Sequence, residues 1–288
     1  MSLYKSEATK IEVMRLYDAK LAACGFSEYE DKYVDTEFGQ SHVIIRGKRN
    51  LPPLVVFHGI NAGAPMALEA IKHLTDKYCL YGVDTIGQAT KSAENRLPMQ
   101  GDAYGKWICQ TLDGLGLDKV NVCAISYGAF ILQKLMQYQP ERLMKAIFVV
   151  PSGFVSGSFW RSMKELSWPL MKFLRSKKDA DLKQFLKAFY LDSDPHFYEL
   201  QKALLLGFKM DYRRPVLVKD GAMKQVICPV YVMVADDDIF FPGDKTLIRC
   251  KQLFSNLRDI YTLKNSKHIP SLSRYDEIET KLSQWLQD

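Results

Sequence analysis

The stretch Val120-Asn121-Val122-Cys123-Ala124-Ile125 is apolar and rich in β-branched residues, and it passes through one residue, Ser126, into the helical pattern Tyr127-Gly128-Ala129-Phe130-Ile131-Leu132. A strand that becomes a helix over a single residue leaves little room two positions to either side. Ala124 and Gly128 are small enough for that turn, although Ala124 stands where glycine is usual. Small-x-Ser-x-Gly in this setting reads as a nucleophile elbow, a strained bend that exposes the serine hydroxyl at its tip. The same bend constrains the architecture, because a strand feeding directly into a helix belongs to a sheet that helices cover.

The rest of the chain alternates accordingly. Residues Glu7 to Ala23 carry apolar side chains at three- and four-residue spacings and predict an amphipathic helix ending at Cys24-Gly25. Two strands around Glu37-Phe38-Gly39-Gln40 predict a hairpin. Leu54-Val55-Val56-Phe57 and Cys79-Leu80-Tyr81-Gly82-Val83 are continuous apolar runs, as expected of strands buried on both faces, with a helix near Met66 to Leu74 between them. Helices flank the elbow strand, and Ala146-Ile147-Phe148-Val149-Val150 follows as another strand. From Ser152 to Lys219 the alternation stops, and aromatics interleave with Lys and Arg in helical spacing. Strand-and-helix alternation then resumes with Val230-Tyr231-Val232-Met233-Val234 and ends in a helix at Trp285-Leu286. These segments predict an α/β protein with about eight mostly parallel strands flanked by helices and an antiparallel edge. Residues 1–151 and 220–288 form its core, and 152–219 form a helical insertion after the sixth strand.

Composition narrows the class. An apolar content of 47% and a charged content of 25% belong to a globular chain. No apolar run approaches the ~20 residues of a membrane span, and the charged start Ser2-Leu3-Tyr4-Lys5-Ser6-Glu7 lacks a signal-peptide core. A cytoplasmic protein is therefore expected. The six cysteines are scattered, which disfavours disulfides and zinc, so no metal site is expected. Between Ser152 and Pro215 twelve Lys or Arg face seven Asp or Glu, five of the six net positive charges of the chain. Without a recognised motif, such a mixed tract reads as a solvated surface rather than a nucleic-acid site.

A serine hydroxyl needs a base, and that base an orienting acid. An elbow predicts both downstream, acid before histidine. Asp236-Asp237-Asp238 follows directly on a strand, and His268 lies in the loop after the next. Carboxyl ends of parallel strands are where ligands gather. An aspartate cluster can equally cap a helix, and a loop histidine can be purely structural. Their order, each at a strand end behind the elbow, favours the catalytic reading. Oxyanion donors are expected from the N–H of Tyr127 and from the loop His58-Gly59-Ile60-Asn61, with Ile60 preferred and Asn61 the alternative. His58 precedes the elbow and is read as a loop-shaping residue.

Phe57-His58-Gly59, Val83-Asp84-Thr85-Ile86-Gly87 with Lys91-Ser92, Ala124-Ile125-Ser126-Tyr127-Gly128, Val150-Pro151-Ser152-Gly153, Asp238 with Pro242 and His268 with Pro270 together carry a resemblance. Over nearly its whole length the chain resembles the α/β-hydrolase superfamily, and its front part is similar to bacterial carboxylesterase-type members. That resemblance implies a Ser126-Asp238-His268 triad with Asp236 as second choice, no cofactor, and a lid after the sixth strand. Lys267 stands where glycine is common and is expected to lower the pKa of His268 if its ammonium is close. Candidate pocket residues are Asn61, Phe154, Trp160 and Ile239. The expected partner is a small ester with an apolar acyl or alcohol part, and a homodimer stays open. Thioester hydrolysis, carbon–carbon bond hydrolysis and acyl transfer fit the same triad. A low-turnover binding or signalling protein would keep the pocket without the turnover.

Overall fold

A computed structural model describes residues 2–26, 28–192 and 194–288. Its frame is one eight-stranded sheet in the order β1-β2-β4-β3-β5-β6-β7-β8. The strands are β1 (Glu30–Val34), β2 (Ser41–Arg46), β3 (Pro53–Phe57), β4 (Cys79–Val83), β5 (Val120–Ile125), β6 (Leu143–Val149), β7 (Val230–Ala235) and β8 (Leu257–Leu263). β1 and β2 form the antiparallel edge, and every pairing from β4 onward is parallel.

Alternation along the strands sends side chains to two cores. Val55, Phe57, Val122, Ala124 and Phe148 join one, with helices α3 (Ala103–Gly114), α4 (Tyr127–Tyr138) and α9 (Gly243–Leu253). Leu54, Val56, Cys123, Ile147 and Met233 join the other, with α2 (Gly63–Glu69) and α10 (Tyr275–Gln287). Burial on both faces explains why the central strands read as unbroken apolar runs. The helix expected near Met66 to Leu74 is displaced. α2 starts at Gly63 and stops before Ile71, which leaves helical geometry (φ −139°, ψ 27°), and a 3₁₀ turn follows over Lys72–Asp76. Ile71 is fully buried in the second core, so packing overrides a continuous helical pattern.

Between β6 and β7 the chain forms α5 (Phe159–Ser162), a π turn (Met163–Ser167), α6 (Trp168–Ser176), α7 (Asp179–Leu186) and α8 (Pro195–Gly207). Phe173, Leu182, Phe185, Phe189 and Phe197 make a separate cluster that also takes in Ile239. α8 is moored to α1 (Glu7–Ala23) by Leu200 and Leu204 against Val13 and Leu16. The N–H groups of Lys5 and Lys209 donate to the carbonyls of Gly207 and Leu3, each at 2.8 Å. The opening residues are thereby tied to the insertion.

Candidate active site

Ser126 sits between β5 and α4 with φ 51° and ψ −113°, a conformation that side-chain-bearing residues rarely adopt. Its N–H donates to the Val149 carbonyl at 2.9 Å, and its carbonyl accepts from Ala129 and Ser152. Those bonds from the adjoining strand and helix hold the bend. The close approach that demands glycine is at Gly128, where an added Cβ would stand 2.4 Å from the Phe57 carbonyl oxygen. Gly128→Val is accordingly expected to cost about 3 kcal/mol or more of stability. Chemical denaturation measures this, and a variant as stable as wild type would mean that α4 can shift away from β3.

Two further strand ends converge on the hydroxyl. Ser126 Oγ lies 2.8 Å from His268 Nε2, and His268 Nδ1 lies 2.7 Å from Asp238 Oδ2. Asp238 is 2% exposed and His268 8%. The second carboxylate oxygen, Asp238 Oδ1, accepts from the N–H groups of Phe240 (2.8 Å) and Phe241 (3.0 Å), which fixes the carboxylate plane. The same turn swings both phenyl rings edge-on to the imidazole, with centroids 4.9 and 5.4 Å away.

The three adjacent aspartates serve three purposes. Asp236 accepts from the N–H groups of Asn265 (2.9 Å) and Ser266 (3.0 Å), so it ties down the loop that carries His268. Partial burial raises its pKa, but these N–H donors outweigh burial and hold it below its ordinary value. Asp237 pairs with Arg161 of the insertion at 2.6 Å. Only Asp238 reaches the imidazole. The Lys267 ammonium donates to the Lys187 carbonyl, binding the histidine loop to the end of α7.

The loop after β3 runs beside the serine, and a Cβ on Gly59 would lie 3.5 Å from Ser126 Cβ. The Asn61 N–H is committed to Gln88 Oε1 at 2.6 Å, and its side-chain oxygen accepts from Ala89. Asn61 is therefore a loop-holding residue and not an available donor. The N–H groups of Ile60 and of Tyr127, the first residue of α4, have no acceptor among the described residues.

Behind this loop lies a buried polar network. Asp84 accepts from the Ala64 N–H (2.9 Å) and the Tyr17 hydroxyl (2.9 Å), and it contacts His42 Nδ1 at 2.8 Å. Burial alone would raise the Asp84 pKa, yet the His42 hydrogen bond and its neighbours hold it down. His42 is raised, because Asp84 and Asp31 together outweigh the effect of burial. His58 goes the other way, lowered chiefly by burial against the pull of Asp84. Its Nε2 accepts from the Thr85 N–H at 2.9 Å and its Nδ1 faces the Gly59 carbonyl at 2.6 Å, so the neutral ring fits the loop. A lowered histidine pKa means that the unfolded chain binds the proton first, so this contribution is complete above the ordinary histidine range and fades as pH falls through it. His42, raised, works in the opposite direction over the same range but is common to both proteins, so from about pH 7 to about pH 5 wild type should lose melting temperature relative to His58→Gln. Parallel pH profiles for the two proteins would remove His58 as the cause.

The serine opens onto a cavity of about 410 Å³, lined almost wholly by apolar side chains. Ile60, Met66, Phe185, Phe189, Phe240 and Phe241 lie on its wall with Ser126, Tyr127 and His268. The four pocket residues expected from sequence are elsewhere. Phe154 is buried against Phe148 and Phe254 in the first core. Trp160 is 80% exposed on the outside of the insertion. Ile239 packs into the insertion cluster, and Asn61 borders smaller crevices beside the cavity. Phe240 and Phe241 escaped the sequence reading because the turn capping Asp238 decides which side chain faces the histidine.

A family model described as alpha/beta hydrolase fold matches residues 52–206. The chain belongs to that family. This hydrolase-fold chain is 23% identical to carboxylesterase YbfK of Bacillus subtilis over 90% of its length and 88% of that protein. It is 32% identical to the uncharacterized carboxylesterase nap of Bacillus subtilis, over 42% of its length and 40% of that protein. The crystal structure of naproxen esterase from Bacillus subtilis superposes with a TM-score of 0.81 at 22% identity, covering 98% of this chain and 99% of that one. CesB (YbfK) from the same organism gives 0.83 at 20% identity, covering 97% and 98%. Those two structures share the fold of this hydrolase-family chain.

Proposed function

We propose that the protein is a serine hydrolase that cleaves a carboxylic ester, with Ser126 as nucleophile, His268 as general base and Asp238 as orienting acid. The observation that carries this reading is the continuous Ser126–His268–Asp238 hydrogen-bond chain at the wall of a large apolar cavity. The carboxylesterase names of YbfK and nap agree with it. In this mechanism His268 Nε2 takes the hydroxyl proton as Ser126 Oγ attacks the ester carbonyl. Asp238, fixed by two N–H donors on its other oxygen, keeps the Nδ1 proton on the imidazole and stabilises the imidazolium. The N–H groups of Ile60 and Tyr127 receive the developing oxyanion, each worth about 10²–10³ in rate. His268 then protonates the departing alcohol. Water, deprotonated by the same ring, releases the acid from the acyl-enzyme.

Residues 152–219 act as the lid, since they supply Leu170, Phe185, Phe189 and Leu205 to the cavity wall. A cavity of this size and apolarity suits an acyl or alcohol group of several carbons rather than a charged substrate. Hydrolysis of 4-nitrophenyl esters of graded acyl length tests the proposal. Turnover that rises from acetate towards medium-chain esters and vanishes in Ser126→Ala is the expected result. A folded protein that hydrolyses no member of the series, but cleaves thioesters, would move the substrate class and keep the triad.

A further inference from the structure

The first helical arm of the insertion has two apolar faces. The inner one, with Leu166, Leu170 and Phe173, packs into the insertion cluster, and Leu170 also lines the cavity. The outer one is uncovered: Phe159 is 64% exposed, Trp160 80% and Trp168 68%, and Met163, Met171 and Leu174 are exposed beside them. Within α6, Trp168, Met171, Lys172 and Arg175 recur at i, i+3, i+4 and i+7, which places them on one side of the helix. A single exposed apolar residue needs no explanation, but a concentration of large ones within sixteen residues marks a contact surface.

The charge on this arm indicates what the surface meets. Arg161, Lys164, Lys172, Arg175, Lys177 and Lys178 stand against Glu165 alone between residues 159 and 178. Arg161 is paired with Asp237 and Glu165, and Lys172 with Asp181. Lys164, Arg175, Lys177 and Lys178 have no carboxylate partner among the described residues. If this face met itself in a second copy of the chain, it would set the same cations against one another. Exposed tryptophans flanked by unpaired cations instead match the interface of an anionic bilayer, where indole rings settle at headgroup depth and Lys and Arg meet phosphate.

We infer that the outer face of residues 159–178 docks on anionic phospholipid surfaces. Docking places the lipid on one side of α6 and the cavity wall on the other, so an apolar substrate dissolved in the bilayer is held next to the site. The binding itself does not depend on the ester-cleaving assignment.

Co-sedimentation of the full chain with phosphatidylcholine vesicles, with and without phosphatidylglycerol, tests the inference. Wild type should sediment with the anionic vesicles, less so as salt rises. A W160S/W168S double variant should lose about tenfold or more in vesicle affinity, and a K164E/R175E variant should lose the preference for anionic lipid. Both sets of side chains are solvent-exposed, so melting temperature and hydrolysis of a soluble short ester serve as folding controls. Three results would overturn the inference: wild type that ignores anionic vesicles, tryptophan variants that bind as well as wild type, or a dimer in solution that the tryptophan substitutions dissociate. Loss of esterase activity alone, with vesicle binding intact, would count against the catalytic proposal and not against this one.

Discussion

Ser126→Ala is expected to lower kcat/KM for aryl esters by at least about 10⁴-fold while the protein stays folded. The hydroxyl is the only atom group lost, and its one side-chain partner among the described residues is His268 Nε2 at 2.8 Å. The bend survives because it is held by backbone bonds from Ser126 to Val149, Ala129 and Ser152, none of which involves Oγ. Residual hydrolysis in the variant measures what the cavity and the N–H groups of Ile60 and Tyr127 contribute without a nucleophile. Steady-state kinetics with a circular dichroism melt decides the matter. A loss smaller than tenfold would point to another nucleophile.

Asp238→Asn should be nearly as damaging, with kcat down about 10³–10⁴-fold. Asp238 Oδ1 is claimed by the Phe240 and Phe241 N–H groups, so the asparagine carbonyl oxygen takes that position. Its NH₂ is then turned to His268 Nδ1, which has to accept. That leaves the ring proton on Nε2, facing Ser126, and the ring can no longer take the hydroxyl proton. Asp236→Asn separates position from charge. Its oxygens cap the N–H groups of Asn265 and Ser266, and an amide oxygen can keep one of these bonds. The expected loss is under about tenfold, together with a lower melting temperature. If the two variants exchanged these effects, Asp236 would be the orienting acid.

The fold was legible because its cause lies in local pattern. The runs at Leu54–Phe57, Cys79–Val83 and Val230–Val234 are unbroken because both faces of those strands are buried, and each appears as a strand at that place. The bend at Ser126 was legible because only small residues tolerate the crowding that Gly128 shows against Phe57. Ser126, Asp238 and His268 meet at the ends of β5, β7 and β8, whose parallel register fixes their separation.

What sequence could not deliver was side-chain direction. Whether Ile239 or Phe240 turns to His268 depends on a two-bond cap around Asp238, which has no period to read. Phe154 follows β6 closely enough to fall back into the first core, while Trp160, six residues on, lies outside. Their shared aromatic character concealed opposite environments. The Asp84 network was equally hidden, since it joins residues from α1, β1, β2, α2 and the loop after β4.

Mass spectrometry after treatment with a fluorophosphonate tests the nucleophile most directly. An activated serine should gain one phosphonyl group, mapped to the peptide that contains Ser126, in wild type and not in Ser126→Ala. His268→Ala should slow labelling by about 10³-fold or more, because the hydroxyl then lacks its base. A folded wild type that stays unlabelled, or a label on a serine other than Ser126, would contradict the assignment of this bend as the catalytic centre.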